Sequence, residues 1–400
     1  MAVPLCLQKE AEVSGSRARI DSVDLVRGIV IVIMALDHVR DFFGDPTANP
    51  TNLASTTPAL FFTRWVTHIC APVFFLLTGT GAYLTRARMS KTALSRFLIT
   101  RGLWLLVLDV VLIRFALQFN FDYHVTVINV LWGLGWSMIV LSALLWSPLW
   151  AIASFGALLI AGHNAFDTPG IPSGMHVLRA FLHQPGILYR SSQSVVVVSY
   201  VLIPWIGVTA IGYVLGAAYR SDAVFRQRLL LRLGTALIAA FVVVRLVNVY
   251  GDPAPWSTQH SLLWTVLSFL NTTKYPPSLL FLLMTLGPAF LLLRVFDTWV
   301  PRVLRPALII GGVPLFFFVL HFFVIHLLAV AVSYLRYGTV RDMFQSPDLA
   351  HFPFSAPPGW GVGLPAIYAL WAAVVIALFP LCRWYARVKR RRHNRWLGYL

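Results

Sequence analysis

Ten long apolar runs leave a chain like this few ways to fold. They lie at roughly 28–43, 61–84, 102–119, 125–146, 148–162, 195–219, 232–250, 276–295, 307–332 and 362–382. Most approach the ~20 residues that a helix needs to cross the hydrocarbon core of a bilayer. In lipid the backbone must satisfy its own polar groups, so runs of this length read as spanning helices. The sequence therefore predicts an all-α, polytopic integral membrane protein with about ten transmembrane helices. Length alone, 400 residues, would suggest two or three soluble domains. The charged fraction of 12% argues against that, since soluble domains carry about 25%.

Basic residues orient the bundle. Of the 32 Lys and Arg, 23 fall on one side of the ten spans together with both chain ends, and nine fall on the other. By the positive-inside rule the richer side is cytoplasmic, so both termini are expected there. This scatter also accounts for the net charge of +17 without a nucleic-acid partner, because no basic face tracks a phosphate backbone. The chain divides into an N-terminal tail (1–18), a transmembrane domain (19–382) and a basic tail (383–400) that meets anionic lipid. The first span lacks a cleavage-site pattern and is expected to remain in place. Cys6, Cys70 and Cys382 lie far apart and form no disulfide framework.

The polar residues inside the spans gather toward the outer side. The stretch Arg19 to Gly44 opens on Arg19, Asp21, Asp24 and Arg27, continues as an apolar helix and closes on Asp37, His38, Arg40 and Asp41. His38 lies ten residues past Gly28, roughly 15 Å along a helix and beyond the midplane. Ionisable groups at such depth are costly, and by default they mark a functional site. His68, Asn248, Tyr250, Asp252, Asn271, Lys274, Tyr275 and His321 fall in the same outer half. The candidate catalytic set is His38, Asp37, Asp41 and His68. The candidate substrate-binding set is Arg40, Asn248, Tyr250, Asp252, Asn271, Lys274, Tyr275 and His321, with Arg27 and Arg101 at the cytoplasmic mouth.

Plainer readings stand beside these. His38 can pair with Asp41 at i+3 as a helix-end feature, and His68 can simply set span depth. Asp109 reads as a buried partner for Arg101 or Arg114. His321 and His326 are separated by about 140° on a helix, so at most one faces a cavity and the other is a hydrogen-bonded core histidine. Thr78-Gly79-Thr80-Gly81 sits inside an apolar helix and reads as close packing. Pro276 and Pro277 are expected to open span eight.

Several chemistries drop out. The only glutamates, Glu10 and Glu12, lie in the N-terminal tail, so there is no HExxH site, and the histidines lack zinc-ligand spacing. No metal is expected. No G-x-S-x-G elbow occurs. A histidine base beside aspartates remains, which suits proton removal from an amine or hydroxyl during group transfer.

The first-helix pattern, Ser22-Val23-Asp24, Arg27-Gly28 and a histidine eleven residues after that arginine, resembles the transmembrane acyltransferase superfamily. It is similar to acyltransferase-3 proteins and to the heparan-α-glucosaminide N-acetyltransferase catalytic-domain family. The blocks LDHVRDFF, RWVTHICAPVFFLLTG, NVYGDPAPW and SFLNTTKYPPSLLFLLMTLGP look closest to the bacterial branch of the latter, across about 19–380. The resemblance implies a ten-helix enzyme, with the bilayer as its surroundings, that takes an acyl group, acetyl above all, from cytoplasmic acyl-CoA. The acceptor would be a sugar amine or hydroxyl of a glycan or glycolipid at the outer face. It also implies the bacterial cytoplasmic membrane as location and leaves a homodimer open. His38 matches the acyltransferase-3 histidine. The lysosomal enzyme looks to carry Asn there, with its active histidine in the loop before span two. Here that loop, 44–60, has no histidine, and His68 is the nearest. Two other classes fit the same composition. A proton-coupled transporter would show pseudo-symmetric halves around a central vestibule, and an assembly scaffold would not need His38 or His68.

Overall fold

The computed structural model of the chain describes residues 21–167, 175–346 and 353–391. The N-terminal tail with Cys6, and the basic residues past Arg391, lie outside them. At the centre is α1 (Asp21–Phe43), charged at both ends but with a wholly apolar middle at 28–36; Leu25, Val26, Val30, Ile31, Ala35, Val39 and Phe42 are all buried. A helical stretch that is apolar all round belongs inside a bundle. It packs against α2 (Pro58–Thr67), α3 (Cys70–Arg86), α12 (Leu279–Thr298), α13 (Arg305–Gly311), α14 (Pro314–Tyr337) and α15 (Leu364–Arg391). The bundle is completed by α4 (Lys91–Val107), α5 (Arg114–Gln118), α6 (Val130–Leu144), α7 (Leu149–Gly162), α9 (Leu202–Ala218) and α10 (Ala223–Val247). Two short helices, α8 (His176–Leu182) and α11 (Leu262–Leu270), lie in connecting segments.

Helices occupy all ten apolar runs. Among the described residues six helical segments are long and apolar enough to cross a membrane: Pro58–Arg86, Leu149–Phe166, Ala223–Val247, Leu279–Thr298, Pro314–Tyr337 and Leu364–Arg391. Two shorter apolar helices, α6 and α9, accompany them.

The all-α expectation needs a correction. Val125–Ile128 (β1) and Val195–Val198 (β3), read from sequence as the starts of spans four and six, are strands. β3 runs parallel to β1 and antiparallel to β2 (Gly186–Arg190), in the order β1-β3-β2. Their VTVI and VVVV sequences are almost wholly β-branched, which favours a strand once the run is short.

Other boundaries also move. Ser278 caps α12 through its Oγ, which accepts from the Phe281 N–H at 3.0 Å, so Pro276 and Pro277 precede that helix and do not open it. Span nine divides into α13 and α14 around Gly312 and Val313, and α14 starts on Pro314. The basic tail, as far as Arg391, is a helical continuation of α15.

The division of span nine reflects how closely α13 crosses α1. A Cβ on Gly311 would overlap the carbonyl oxygen of Asp24, and one on Gly28 would overlap that of Ala307. Gly79 is likewise a packing glycine, set against the Thr209 carbonyl on α9, while the Thr80 hydroxyl donates to the carbonyls of Leu76 and Gly212 at 3.0 Å each.

Two buried polar side chains anchor local structure. Asp109 sits in a π-helical turn (Leu108–Ile113) between α4 and α5 and accepts the Asn129 N–H at 2.7 Å. Asn129 is the N-cap of α6, so this bond holds the start of that helix from a neighbouring one. Arg114, expected as its partner, instead reaches Asn120, Asp122 and Ser346. Arg245, 1% exposed on α10, donates to the carbonyls of Ala254, Ser268, Phe269 and Asn271 at 2.9–3.1 Å. It thereby satisfies the C-terminal carbonyls of α11 and fixes the segment that carries Asn271 and Lys274. Arg245→Ala leaves those carbonyls without their donor and is expected to lower stability by about 3 kcal/mol or more. Thermal unfolding in detergent measures the loss; a wild-type Tm would contradict the anchoring role.

Candidate active site

On α1, Asp37, Arg40 and Asp41 fall within one turn of each other, while His38 is rotated away toward α14. The first three form an ion chain. Asp37 pairs with Arg40 at 2.9 Å and with Arg64 of α2, and Arg40 pairs in turn with Asp41 at 2.6 Å. The side chains of Asp37, Arg40 and Arg64 are only 9–13% exposed. Ion pairs so shielded hold when each charge finds a well-placed partner, and deleting one leaves the others stranded.

Asp37 and Asp41 are thus committed to arginines, and neither makes a hydrogen bond to His38. The partner of His38 is His321, with Nδ1 of the former 2.6 Å from Nε2 of the latter. The His38 ring packs against both His321 and Phe322, at 4.9 and 4.4 Å between centroids. His321 Nδ1 lies 3.2 Å from the Phe317 carbonyl, so that nitrogen carries the proton and Nε2 is an acceptor. His38 therefore donates through Nδ1–H and keeps its lone pair on Nε2. This tautomer, set by a second histidine, is the one a general base requires.

His38 lines a cavity of about 360 Å³, together with Asp37, Arg40, Asp41, Lys274 and Tyr275. Strand residues Val125, Val127 and Val197, with Ser199 and Tyr200, line it as well. A second cavity, about 330 Å³, is lined by Arg27, Thr78, Gly81, Arg101 and Lys389. Phe74, Val130 and Phe318 line both, so these three side chains separate the two spaces. Arg27 and His38 are eleven residues apart on α1, about 16 Å along the axis. A third cavity, about 410 Å³, lies across the ion chain and contains His68 and Asn271; it shares Arg40, Arg64, Lys274 and Tyr275 with the first.

The predicted residues thus separate into groups. Asp37, His38, Arg40, Asp41, Lys274 and Tyr275 come together, and His321 is fully buried behind His38. His68 and Asn271 both line the third cavity. Three expected substrate residues hold loops instead and line none of the three cavities. Asn248 exchanges two hydrogen bonds with the Trp256 backbone. The Tyr250 hydroxyl donates to the Ala161 carbonyl. Asp252 accepts from Thr273 N–H, Thr273 Oγ1 and Ser278 Oγ at 2.6–2.9 Å. His326 is the core histidine, placed between the carbonyls of Ala116 and Met343 at 2.9 and 2.8 Å.

Sequence reasoning missed Arg64, Tyr200, Phe318, Phe322 and Lys389. Arg64 carried a usable signal, an ionisable residue inside an apolar run, but it was counted only toward orientation. The aromatic residues had none, because phenylalanines facing a cavity and phenylalanines facing lipid look alike in sequence. Among the described residues no three His, Cys, Asp or Glu side chains converge as metal ligands would.

Comparison with known families adds one finding. The sequence pattern of the family described as heparan-alpha-glucosaminide N-acetyltransferase, catalytic, matches residues 19–254, which include α1 and every helix through α10. No curated protein matches the chain.

Proposed function

The chain belongs to the heparan-alpha-glucosaminide N-acetyltransferase catalytic-domain family, and on that premise we propose that it transfers an acyl group from acyl-CoA, acetyl-CoA above all, to the amine or hydroxyl of a glycan or glycolipid. The observation that carries this reading is the meeting of two cavities at Phe74, Val130 and Phe318. Basic residues line one cavity and His38 lies in the other. In the proposed arrangement the ten helical segments span a bacterial cytoplasmic membrane with both termini inside. The Arg27 cavity then faces the cytoplasm and the His38 cavity faces outward.

The donor would place its phosphates near Arg27, Arg101 and Lys389, whose charges complement them. Its extended arm would pass Phe74 and Phe318 and bring the thioester carbonyl beside His38. His38 Nε2 takes the proton of the acceptor N–H or O–H as that atom attacks the thioester carbon. The tetrahedral intermediate then expels CoA thiolate, and the proton on His38 passes to the sulfur. His321 keeps the required tautomer through both steps. One base serves both halves of the reaction, so no covalent acyl-enzyme is needed.

Purified protein in nanodiscs with radiolabelled acetyl-CoA and mixed amino sugars and glycolipids tests the reading. Label should enter the acceptor pool as free CoA appears. Absence of CoA binding and turnover with every acyl chain tried would refute it. The passage also predicts selectivity. Phe318→Ala widens the constriction, so turnover with hexanoyl-CoA relative to acetyl-CoA should rise roughly tenfold or more, the discrimination a hydrophobic pocket achieves per methylene. An unchanged ratio would remove Phe318 from the route.

A further inference from the structure

The third cavity is lined by a lysine that makes no ion pair among the described residues. Lys274 sits on the segment between α11 and α12, which Arg245 fixes from one side and Asp252 from the other. Its side chain is half-buried, and its ammonium group lies 5.1 Å above the Tyr275 ring. No described carboxylate comes within ion-pair distance of it, and Asp37 is already held by both Arg40 and Arg64. His68, 3% exposed, lines the same space, and its Nδ1 has no partner. A half-buried ammonium ion with no described carboxylate at ion-pair distance, beside an aromatic ring and two arginines already held by Asp37, is an arrangement that an anion would complete.

We propose that this cavity is a binding site for an oxyanion, phosphate or carboxylate, with Lys274 as its principal ligand and Arg40 and Arg64 beside it. On the acyl-transfer reading, the oxyanion belongs to the acceptor. The shared Lys274 and Tyr275 wall then places the rest of the acceptor in the His38 cavity. Lys274 is well suited to this role. It meets the ligand as a point charge on a flexible stem, while the arginine forks stay fixed on Asp37.

The test needs no acyl donor, so its outcome is independent of whether transfer occurs. Thermal unfolding of the purified full chain in a nonionic detergent is followed while inorganic phosphate, glucuronate or glucose is added, with sodium chloride at matched ionic strength as the control. Phosphate or glucuronate should raise Tm saturably, and glucose should not. Lys274→Gln should weaken the half-saturating concentration by about tenfold, the loss expected for one charge-assisted hydrogen bond. Lys274→Arg should largely restore it. No saturable shift in the wild type, or an equal shift in Lys274→Gln, would overturn the site. Repeating the titration in phosphatidylcholine nanodiscs with and without phosphatidylglycerol separates the sources. Competition by phosphatidylglycerol identifies a lipid headgroup as the natural oxyanion, and undiminished binding identifies one carried by a soluble acceptor.

Discussion

His38→Gln should reduce acyl transfer by roughly 10²–10⁴-fold, the usual contribution of a positioned general base, while leaving the protein folded and its affinity for acyl-CoA unchanged. Glutamine retains a polar group of similar reach but cannot take a proton near neutral pH. The second histidine sharpens the expectation. His321→Phe keeps an aromatic ring against Phe322 but removes the acceptor at 2.6 Å that selects the tautomer of His38. Its effect should fall on kcat by about tenfold, one lost hydrogen bond, with KM for the donor unchanged. The pH dependence of kcat should also move, because His38 Nδ1–H is then free to pair elsewhere. Kinetics of the two variants against acetyl-CoA check this. Full activity in His38→Gln would remove the histidine from the chemistry. Equal losses in kcat and in folded yield for His321→Phe would make that residue merely structural.

The second large effect is on folding. Gly311→Val should abolish monodisperse protein, and Gly28→Val should do the same. At both positions the first added carbon meets a backbone carbonyl, of Asp24 and of Ala307 respectively, and no rotamer change can move a carbonyl aside. Ordinary overpacking costs about 1–3 kcal/mol; here α1 and α13 would have to separate, so the loss should exceed that. Separation would also disturb Arg27, which donates to the Gly311 carbonyl at 3.4 Å and lines the second cavity. Gly162→Ala is the control, since nothing lies within 4 Å of the carbon it adds. Size-exclusion profiles and Tm values in detergent distinguish these cases. A stable, monodisperse Gly311→Val protein would mean that the crossing is looser than the glycines indicate.

How much of this was legible in the sequence depended on which physical signal each residue carried. Each apolar run overlaps a helix among the described residues, and six helical segments are long and apolar enough to cross a bilayer. That much was legible because hydrophobic length is a direct requirement of a bilayer. β1 and β3 were hidden because short apolar strands and buried helix ends look alike by periodicity. Only their β-branched composition set them apart. His38 was legible because an ionisable group inside a span is costly wherever it sits. Its true partner was not legible, since His321 lies 283 residues away, and nearby Asp37 and Asp41 offered a simpler pairing. Asn248, Tyr250 and Asp252 cluster in sequence as a substrate site would. Their hydrogen bonds to loop backbone show that a polar cluster can equally be what keeps a long connection in shape.

The most direct test of a two-cavity acyl route is a cryo-EM reconstruction of the wild-type protein with a non-hydrolysable thioether analogue of acetyl-CoA. The phosphates should lie near Arg27, Arg101 and Lys389, the arm should cross between Phe74 and Phe318, and the acyl carbonyl should lie within hydrogen-bond reach of His38 Nε2. Density confined to the cavities around His38 and His68, or an analogue bound with its acyl end away from His38, would contradict that route.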